Sequence, residues 1–315
     1  MNGRNLTAII AAVVVCVIGG YLGYNFWHDN SGGKSGFTVA YANHNDNDAF
    51  GMMIKNAFAD KAASSGINVE FYDAQGDGSL QTDQVKEMID KKFDAIVILA
   101  VDGSGIVPAI EKANEAGISV VALNRDLNGG EYAGVYSDDL EAGRLQGEYF
   151  KEHLPQNATV VYIEGSASQS GAQKRWEGFS ESCLKARPDV KLLSMMDGDY
   201  SRAEAMKIMS VWLSIFPQIN GVAAGNDEMA LGAVAALKAA GRLDGTIVSG
   251  VDATDDALNA IQKGEMAQTV KQDAKGQAEG AVDIIVSLQK SGKMGAGVTV
   301  PFASVTKENI DQFSK

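Results

Sequence analysis

The sequence predicts an α/β fold in which strands alternate with helices and form parallel sheets. Three observations predict it: a complete strand–turn–helix unit at residues 221–241, the recurrence of a helix, a glycine and a strand along the chain, and a length of 315 residues. Strands that alternate with helices form parallel sheets with helices on both faces. The row of predicted strands is long for one sheet, so we predict two α/β lobes.

The strand–turn–helix unit shows how each element is predicted. Residues 222–224 form a short apolar run that is typical of a buried strand, and apolar residues then recur at helical spacing over 229–237. Gly241 can end this helix in a left-handed conformation. Asn226 and Asp227 could be ordinary helix caps, but they also lie at the carboxyl end of a strand, where open parallel sheets bind ligands.

The same pattern predicts the other strands. A helix, a glycine and a strand follow one another at Gly66, Gly117 and Gly264. The predicted strands cover residues 38–42, 69–72, 95–100, 119–123, 159–163, 191–195, 222–224, 246–250 and 267–270.

An apolar run precedes the predicted lobes. It covers residues 6–22 behind a single Arg4, which is close to the length that spans a bilayer. Val15 is too bulky for a good lipoprotein site before Cys16, and residues 31–36 are typical of a flexible linker. We predict an N-terminal hydrophobic helix, with an uncleaved tether slightly favoured over a removed signal peptide, that places the soluble part outside the cytoplasm.

Composition and motifs exclude several classes of function. A net charge of -13 argues against binding of nucleic acid, which needs a clustered basic face. The sequence lacks a nucleophile elbow, a phosphate loop and a dinucleotide fingerprint. His28, His44 and His153 are not spaced for a metal or placed with a nucleophile. We therefore predict no enzyme activity, no cofactor and no bound metal.

Polar residues cluster where the predicted strands end. The segment 43–50 is dense in amide and carboxylate groups and contains one aromatic ring. It is either a helix N-terminus rich in caps or a set of hydroxyl-binding groups beside a stacking ring. Further polar groups follow later strands, and Tyr200 precedes the capping box of Ser201 and Glu204.

Several segments together resemble the ribose and inositol group of periplasmic sugar-binding proteins. They are AGNDEMALGA at 224–233, NRD at 124–126, the Arg175-x-x-Gly178-Phe179 pattern, GVDATDDAL at 250–258 and TVKQDAKGQAEGAVD at 269–283. The resemblance covers about residue 37 to the C-terminus. DAQGD at 73–77 and LQGEYF at 145–150 are more similar to the inositol or rhizopine branch.

The resemblance implies a type I periplasmic binding protein fold, with two Rossmann-like lobes joined by a three-stranded hinge. After the segment 1–36, the first lobe would contain residues 37–137 and 273–302. The second lobe would contain residues 138–272 and 303–315. The chain would cross between the lobes near Ser137, Gln272 and Phe302.

The resemblance also implies a ligand set. Carboxylates accept hydrogen bonds from hydroxyls, guanidinium groups donate, and amides do both. Two aspartates against two arginines would leave the site near neutrality, which suits a neutral ligand. Ala49 and Asn124 depart from the ribose pattern and put ribose itself in question. The implied ligand residues are Asn43, Asn47, Asp48, Phe50, Asn124, Arg125, Arg175, Tyr200, Asn226, Asp252 and Gln272.

The resemblance implies a non-enzymatic, monomeric binding protein. It would deliver a monosaccharide or cyclitol, with an inositol-like ligand favoured, to the permease of an ABC transporter. A membrane-tethered sensor that reports to a chemoreceptor or signalling partner is the alternative. Transcription factors similar to the lac repressor share this effector domain, but residues 1–36 supply neither a helix-turn-helix nor basic charge.

Overall fold

Two six-stranded sheets organise the protein. The computed structural model describes residues 36–166 and 169–313, and the predicted N-terminal hydrophobic helix at 6–22 lies outside them. Within the described part, no helix combines the length and apolar character that crossing a membrane would require. The two sheets and the helices that cover them confirm the predicted two-lobe α/β fold.

The first sheet is entirely parallel. Its strands lie in the order β11-β5-β4-β3-β1-β2. A central strand of this sheet has little access to water on either face, which is why its sequence is almost wholly apolar. The strands are β1 (Thr38–Asn43), β2 (Asn68–Asp73), β3 (Ala95–Ile98), β4 (Ser119–Leu123), β5 (Ala133–Tyr136) and β11 (Val298–Thr299).

The second sheet is parallel except at one edge. Its order is β12-β10-β9-β8-β6-β7, and only the β10–β12 pair is antiparallel. The strands are β6 (Thr159–Glu164), β7 (Lys191–Asp197), β8 (Gly221–Ala224), β9 (Ile247–Asp252), β10 (Gln268–Lys271) and β12 (Ala303–Thr306).

Helices connect the parallel strands. A π-helical turn at Ser180–Leu184 extends the fifth helix, and a short 3-10 turn at Ile310–Gln312 follows the last strand. The α-helices are α1 (Ala49–Ser64), α2 (Gly78–Asp90), α3 (Val107–Glu115), α4 (Asp139–His153), α5 (Ser170–Phe179), α6 (Arg202–Ile215), α7 (Asp227–Ala239), α8 (Asp255–Gln262) and α9 (Ala274–Ser291).

The predicted helix ends are confirmed where the structure tests them. The Asn226 side chain caps α7 by accepting from the Met229 amide at 3.0 Å. Ser201 caps α6 by accepting from the Glu204 amide at 3.3 Å. Gly241 follows the end of α7 with a φ of 64°, the left-handed conformation that a glycine adopts without strain.

The predicted strands are also confirmed, with ends that differ by one or two residues. Three short strands, β5, β11 and β12, were not predicted. They contain four, two and four residues. Their sequences mix small, polar and apolar residues without a marked period, so their pairing with neighbouring strands defines them.

The chain passes between the two sheets three times. It leaves the first sheet after β5, returns between β10 and β11, and leaves again between β11 and β12. The carboxyl ends of most strands in both sheets therefore lie near these connections. The exact lobe limits given above stay a prediction.

Close helix contacts fix the position of α5. A methyl group on Gly143 of α4 would lie 1.9 Å from the Arg175 carbonyl oxygen, and one on Gly178 would lie 2.1 Å from the Leu140 carbonyl oxygen. Glycines at both positions let the backbones of the two helices approach each other. Phe179 is fully buried at this crossing, and its ring centroid lies 5.3 Å from that of Phe150.

Candidate functional site

A cavity of about 900 Å³ lies where the strand ends of the two sheets approach each other. Residues that follow β1, β3, β4 and β5 line it from the first sheet, and residues at the ends of β7, β8, β9 and β10 line it from the second. The cavity is therefore built from loops at the carboxyl ends of parallel strands, the position where open α/β sheets bind ligands.

Most of the predicted ligand residues meet in this cavity. Asn43 and Asn47 are the two that do not line it. Asn43 is buried and donates to Asp46 Oδ1 at 2.6 Å, and Asn47 is exposed. A role of the lining residues in binding stays a prediction. The predicted residues that line the cavity are Asp48, Phe50, Asn124, Arg125, Arg175, Tyr200, Asn226, Asp252 and Gln272.

The segment after β1 contains a helix cap that also lines the cavity, and its binding of hydroxyls stays a prediction. Asp48 caps α1 by accepting from the Gly51 amide, and it also lines the cavity beside Phe50. His44 lines the cavity too, with Nε2 3.8 Å from Asp48 Oδ1. Burial and then the Arg125 guanidinium hold the pKa of His44 well below its ordinary value, so the ring is neutral.

Arg175 is the most extensively bonded side chain of the cavity. Its Nε donates to Asp139 Oδ1 at 2.7 Å, one terminal nitrogen to the Gly225 carbonyl at 2.6 Å, and the other to Gln272 Oε1 at 3.2 Å. The guanidinium carbon also lies 5.9 Å from the centroid of the Phe302 ring. Arg175 thus points towards the ends of β8 and β10, and its ion-pair partner is Asp139.

Arg125 and Asn124 are held by groups from their own side of the cavity. Arg125 donates to the Ala100 carbonyl at 2.9 Å. Asn124 has a φ of 66°, and its Nδ2 donates to Gln277 Oε1 at 3.2 Å. Gln277 in turn donates to Ser137 Oγ at 3.0 Å, so a residue of α9 orients the Asn124 amide.

Tyr200 reaches the cavity through an unusual local backbone. Asp199 and Tyr200 have φ values of 49° and 54°, a left-handed conformation that is strained for residues other than glycine. The Tyr200 ring lies over Gly165, where an added Cβ would be 2.1 Å from the ring carbon Cζ. Gly165 therefore provides the space that the aromatic ring needs.

Asp252 presents a buried carboxylate to the cavity. The residue is 5 % exposed, and no group of the described residues donates a hydrogen bond to its side chain. Burial and then the neighbouring Asp227 carboxylate raise the pKa of Asp252 well above its ordinary value. A buried carboxyl group without a protein donor is available to hydrogen-bond a ligand.

The cavity is more acidic than the predicted ligand set implies. Lys174 and Arg175 have carboxylate partners, because Lys174 Nζ lies 3.7 Å from Asp126 Oδ2 and Arg175 pairs with Asp139. Among the described residues, no group of acidic, histidine or cysteine side chains is arranged to hold a metal ion. The charged lining residues are Asp48, Asp102, Arg125, Asp126, Asp138, Asp139, Lys174, Arg175 and Asp252.

His44, Tyr136 and Asp139 also line the cavity, although none of them belongs to the predicted ligand set. Asp139 lies in the first turn of α4, directly after the cap Asp138, and this position alone is typical of an ordinary helix start. Its function as the partner of Arg175 depends on the crossing of α4 and α5, which sequence spacing does not reveal.

The model of the periplasmic binding protein domain matches residues 39–294 of the chain. This chain belongs to that family. The family consists of solute-binding proteins, in agreement with the prediction that the chain is not an enzyme. The match covers nearly all the strands that form the two sheets.

Individual relatives show the same relationship. A protein from Rhizobium meliloti described as rhizopine-binding is 32% identical over 274 residues, which cover 84% of this chain and 89% of the relative. A ribose import binding protein from Bacillus subtilis is 32% identical over 244 residues, with coverage of 77% and 78%. An ABC transporter solute binding protein from Bacillus halodurans, solved with bound myo-inositol, superposes with a TM-score of 0.84 and 32% identity, covering 89% of this chain and 98% of that chain.

The packing of Tyr200 against Gly165 gives a testable prediction. We expect Gly165→Ala to lower the free energy of unfolding by about 1–3 kcal/mol, because the added methyl group overlaps the Tyr200 ring. The same change in a Tyr200→Ala background should cost much less, since the overlapping ring is gone. Urea denaturation of the four proteins measures both costs, and equal costs in the two backgrounds would refute the packing role of Gly165.

Proposed function

We propose that this protein captures a monosaccharide or cyclitol outside the cytoplasm and delivers it to an ABC transporter. An inositol-like ligand is favoured. The observation that carries the proposal is the cavity at the strand ends, where nine of the eleven side chains expected to bind such a ligand come together.

The chemistry of the lining suits a polyol. Ring hydroxyls both donate and accept, so they need donors and acceptors of the protein around the whole ring. Asp252 can accept from hydroxyls, and Arg125 and Arg175 can donate to them. Phe50 and Tyr200 offer flat apolar faces to the carbons of a ring.

The relatives support this ligand class. One is described as binding rhizopine, one imports ribose, and one was solved with myo-inositol. The two departures from the ribose pattern, at Ala49 and Asn124, favour a cyclitol over ribose for this chain. These relatives give no support to the sensor alternative or to a chemoreceptor partner.

Location and partners follow from the same proposal. Membership of the periplasmic binding protein family implies the periplasm and a transporter permease as the partner. We further propose that the protein acts as a monomer and that residues 6–22 tether it to the inner membrane. N-terminal sequencing of the exported protein distinguishes an uncleaved tether from a signal peptide.

A thermal-shift screen tests the ligand class. The purified protein is heated with myo-inositol, an inosamine, ribose and a hexose, with a free amino acid as the unrelated control compound. A compound that binds the native state raises the melting temperature. We expect the cyclitols to give the largest rise, and a rise with none of the sugars or cyclitols would contradict the proposal.

We expect Arg175→Ala and Asp252→Ala each to weaken binding of the compound found in this screen by about 2–4 kcal/mol, because each change leaves hydroxyls of the bound ligand without their buried protein partner. The effects on the unliganded protein should differ. Arg175→Ala removes three protein hydrogen bonds and should lower stability. Asp252→Ala removes none and should leave stability unchanged or raise it.

Calorimetric titration and denaturant midpoints of each variant measure these effects. Arg242→Ala is the matched control, because this arginine bonds the carbonyls of Leu213, Phe216 and Pro217 and does not line the cavity. It should lose stability and keep its affinity. Full affinity in a folded Arg175→Ala protein would remove that residue from the ligand set.

We also propose that the two lobes close on the ligand about a hinge formed by the three connections between the sheets. The lobes would be 37–137 with 273–302 and 138–272 with 303–315. A ligand that contacts both lobes favours the closed form by its differential affinity. Small-angle scattering should show a smaller radius of gyration with ligand. The Asp252→Ala variant should show no change at the same ligand concentration, and identical curves for the ligand-saturated and free wild type would refute closure.

A further inference from the structure

A fully buried carboxylate lies behind the cavity without lining it. Asp227 is in the first turn of α7, with no exposed surface. Its Oδ2 accepts from the Thr254 amide at 2.8 Å and from the Thr254 hydroxyl at 3.3 Å. Its Oδ1 accepts from the Thr269 hydroxyl at 2.7 Å. The carboxylate thus receives three hydrogen bonds from two neighbouring elements.

These bonds converge on the loop that contains Asp252. The Ala253 amide donates to Thr269 Oγ1 at 3.2 Å, and Thr269 donates onward to Asp227. Asp227 therefore holds Thr254 directly and Ala253 through one hydroxyl. Gly250 leaves the space for this arrangement, since an added Cβ there would lie 2.3 Å from Asp227 Oδ1.

The held loop has a strained backbone. Asp252 has a φ of 125° and Ala253 a φ of 57°, both in the region that favours glycine. Such a conformation persists only where the surrounding structure holds it. The bonds to Asp227, direct from Thr254 and through Thr269 from Ala253, are contacts that hold this loop.

We propose that Asp227 is a positioning residue that holds the Asp252–Thr254 loop in its strained path and so presents the Asp252 carboxylate to the ligand. The binding part of this proposal rests on the proposed function. The positioning part concerns the unliganded protein and can be tested without a ligand.

The charge of Asp227 has a second effect on the same residue. Burial raises the pKa of Asp227 to about 7, against the hydrogen bonds from Thr269 and Thr254. Burial first and Asp227 second raise the pKa of Asp252, which the Arg175 guanidinium opposes. Removal of the Asp227 charge should therefore lower the pKa of Asp252. The charged and titratable groups around the pair are Asp48, Asp139, Arg175, Tyr200 and Glu228.

Two variants separate the effect of the Asp227 hydrogen bonds from the effect of the Asp227 charge. Asp227→Asn keeps the shape and can still accept from Thr254 and bond Thr269, but it carries no charge. Asp227→Ala removes both the bonds and the charge. Glu228→Gln is the matched control, because it removes a carboxylate charge from the adjacent residue, whose hydrogen bonds go to Arg202.

Hydrogen exchange of the unliganded protein tests whether the Asp227 hydrogen bonds hold the loop. In Asp227→Ala we expect the amides of Ala253 and Thr254 to lose protection while the amides of β9 keep theirs, because only the loop loses its acceptors. Asp227→Asn and Glu228→Gln should retain most of the protection. Unchanged protection of both amides in Asp227→Ala would overturn the proposal whatever the ligand is.

The pH dependence of the free energy of unfolding tests the effect of the Asp227 charge without a ligand. An acid whose pKa is raised by folding contributes stability below its unfolded pKa and loses it as pH rises through the folded pKa. The wild type should therefore lose stability as pH rises from about 4 to about 7. Asp227→Asn should flatten this loss. Glu228→Gln should flatten it far less, because the Glu228 charge is the smallest of the causes that act on the pKa of Asp227.

Calorimetric titration with myo-inositol as the probe tests the effect on binding. Asp227→Ala should weaken affinity about tenfold to a hundredfold, as the loss of buried charged hydrogen bonds would. Asp227→Asn should weaken it less and shift the midpoint of the affinity–pH curve to lower pH, a shift that a purely structural role would not produce. Glu228→Gln should leave the affinity unchanged and should shift the midpoint far less than Asp227→Asn does, because Glu228 acts on Asp252 only through Asp227.

The outcomes separate the two proposals. A loop that exchanges faster in Asp227→Ala while myo-inositol binds with wild-type affinity would overturn the positioning of Asp252 for the ligand. If the wild type binds none of the screened compounds, the proposed function fails by that result alone. Faster exchange in Asp227→Ala would then still support its hold on the loop.

Discussion

The buried Arg175 guanidinium is the interaction on which the cavity depends. An isolated charge in the interior costs several kcal/mol, so it persists only with partners that satisfy it. Its partners come from three elements: Asp139 on α4, the Gly225 carbonyl after β8 and Gln272 after β10. Because the guanidinium is planar and rigid, these bonds fix the strand ends relative to α4 and α5. The glycine contacts between α4 and α5 bring Arg175 close enough to make them.

The groups around Arg175 divide into satisfied and unsatisfied ones. Asn124, Arg125 and Arg175 have protein partners that orient them. The Asp252 carboxylate has no protein donor among the described residues, and it is held in place by a strained loop. Because the donors are already oriented around an acceptor that lacks a protein partner, no reorganisation is needed when a ligand binds. The site therefore gains more free energy from a ligand than from water. The same arrangement accounts for the expectation that loss of Asp252 costs affinity without costing stability.

The sequence was sufficient to predict the repeating part of the fold. Buried parallel strands are continuous apolar runs, and helices of several turns show a clear period, so β1, β8 and α7 could be recognised without the structure. The strands β5, β11 and β12 could not be predicted, because their short, mixed sequences show no marked period and their pairing with neighbouring strands defines them. The antiparallel pairing of β12 also depends on a return of the chain that no local pattern indicates.

The site could be predicted to a similar extent and for a similar reason. Residues directly after strands, such as Asp252 and Gln272, are brought to the cavity by the sheet itself. Asn47 lies in a loop whose path is set by the α1 cap, and it is exposed. Asp139 and Asp227 lie in the first turns of helices and bond residues of separate elements, and sequence spacing does not reveal these partners.

A crystal structure of the protein grown with myo-inositol would show directly whether the cavity binds the cyclitol, because it observes the cavity and its contacts together. We expect the ring in the cavity between the two sheets, with hydroxyls within hydrogen-bond distance of Asp252, Arg125 and Arg175, and with a ring face against Phe50 or Tyr200. A ligand bound outside the cavity, or one inside it that touches none of these side chains, would contradict the account.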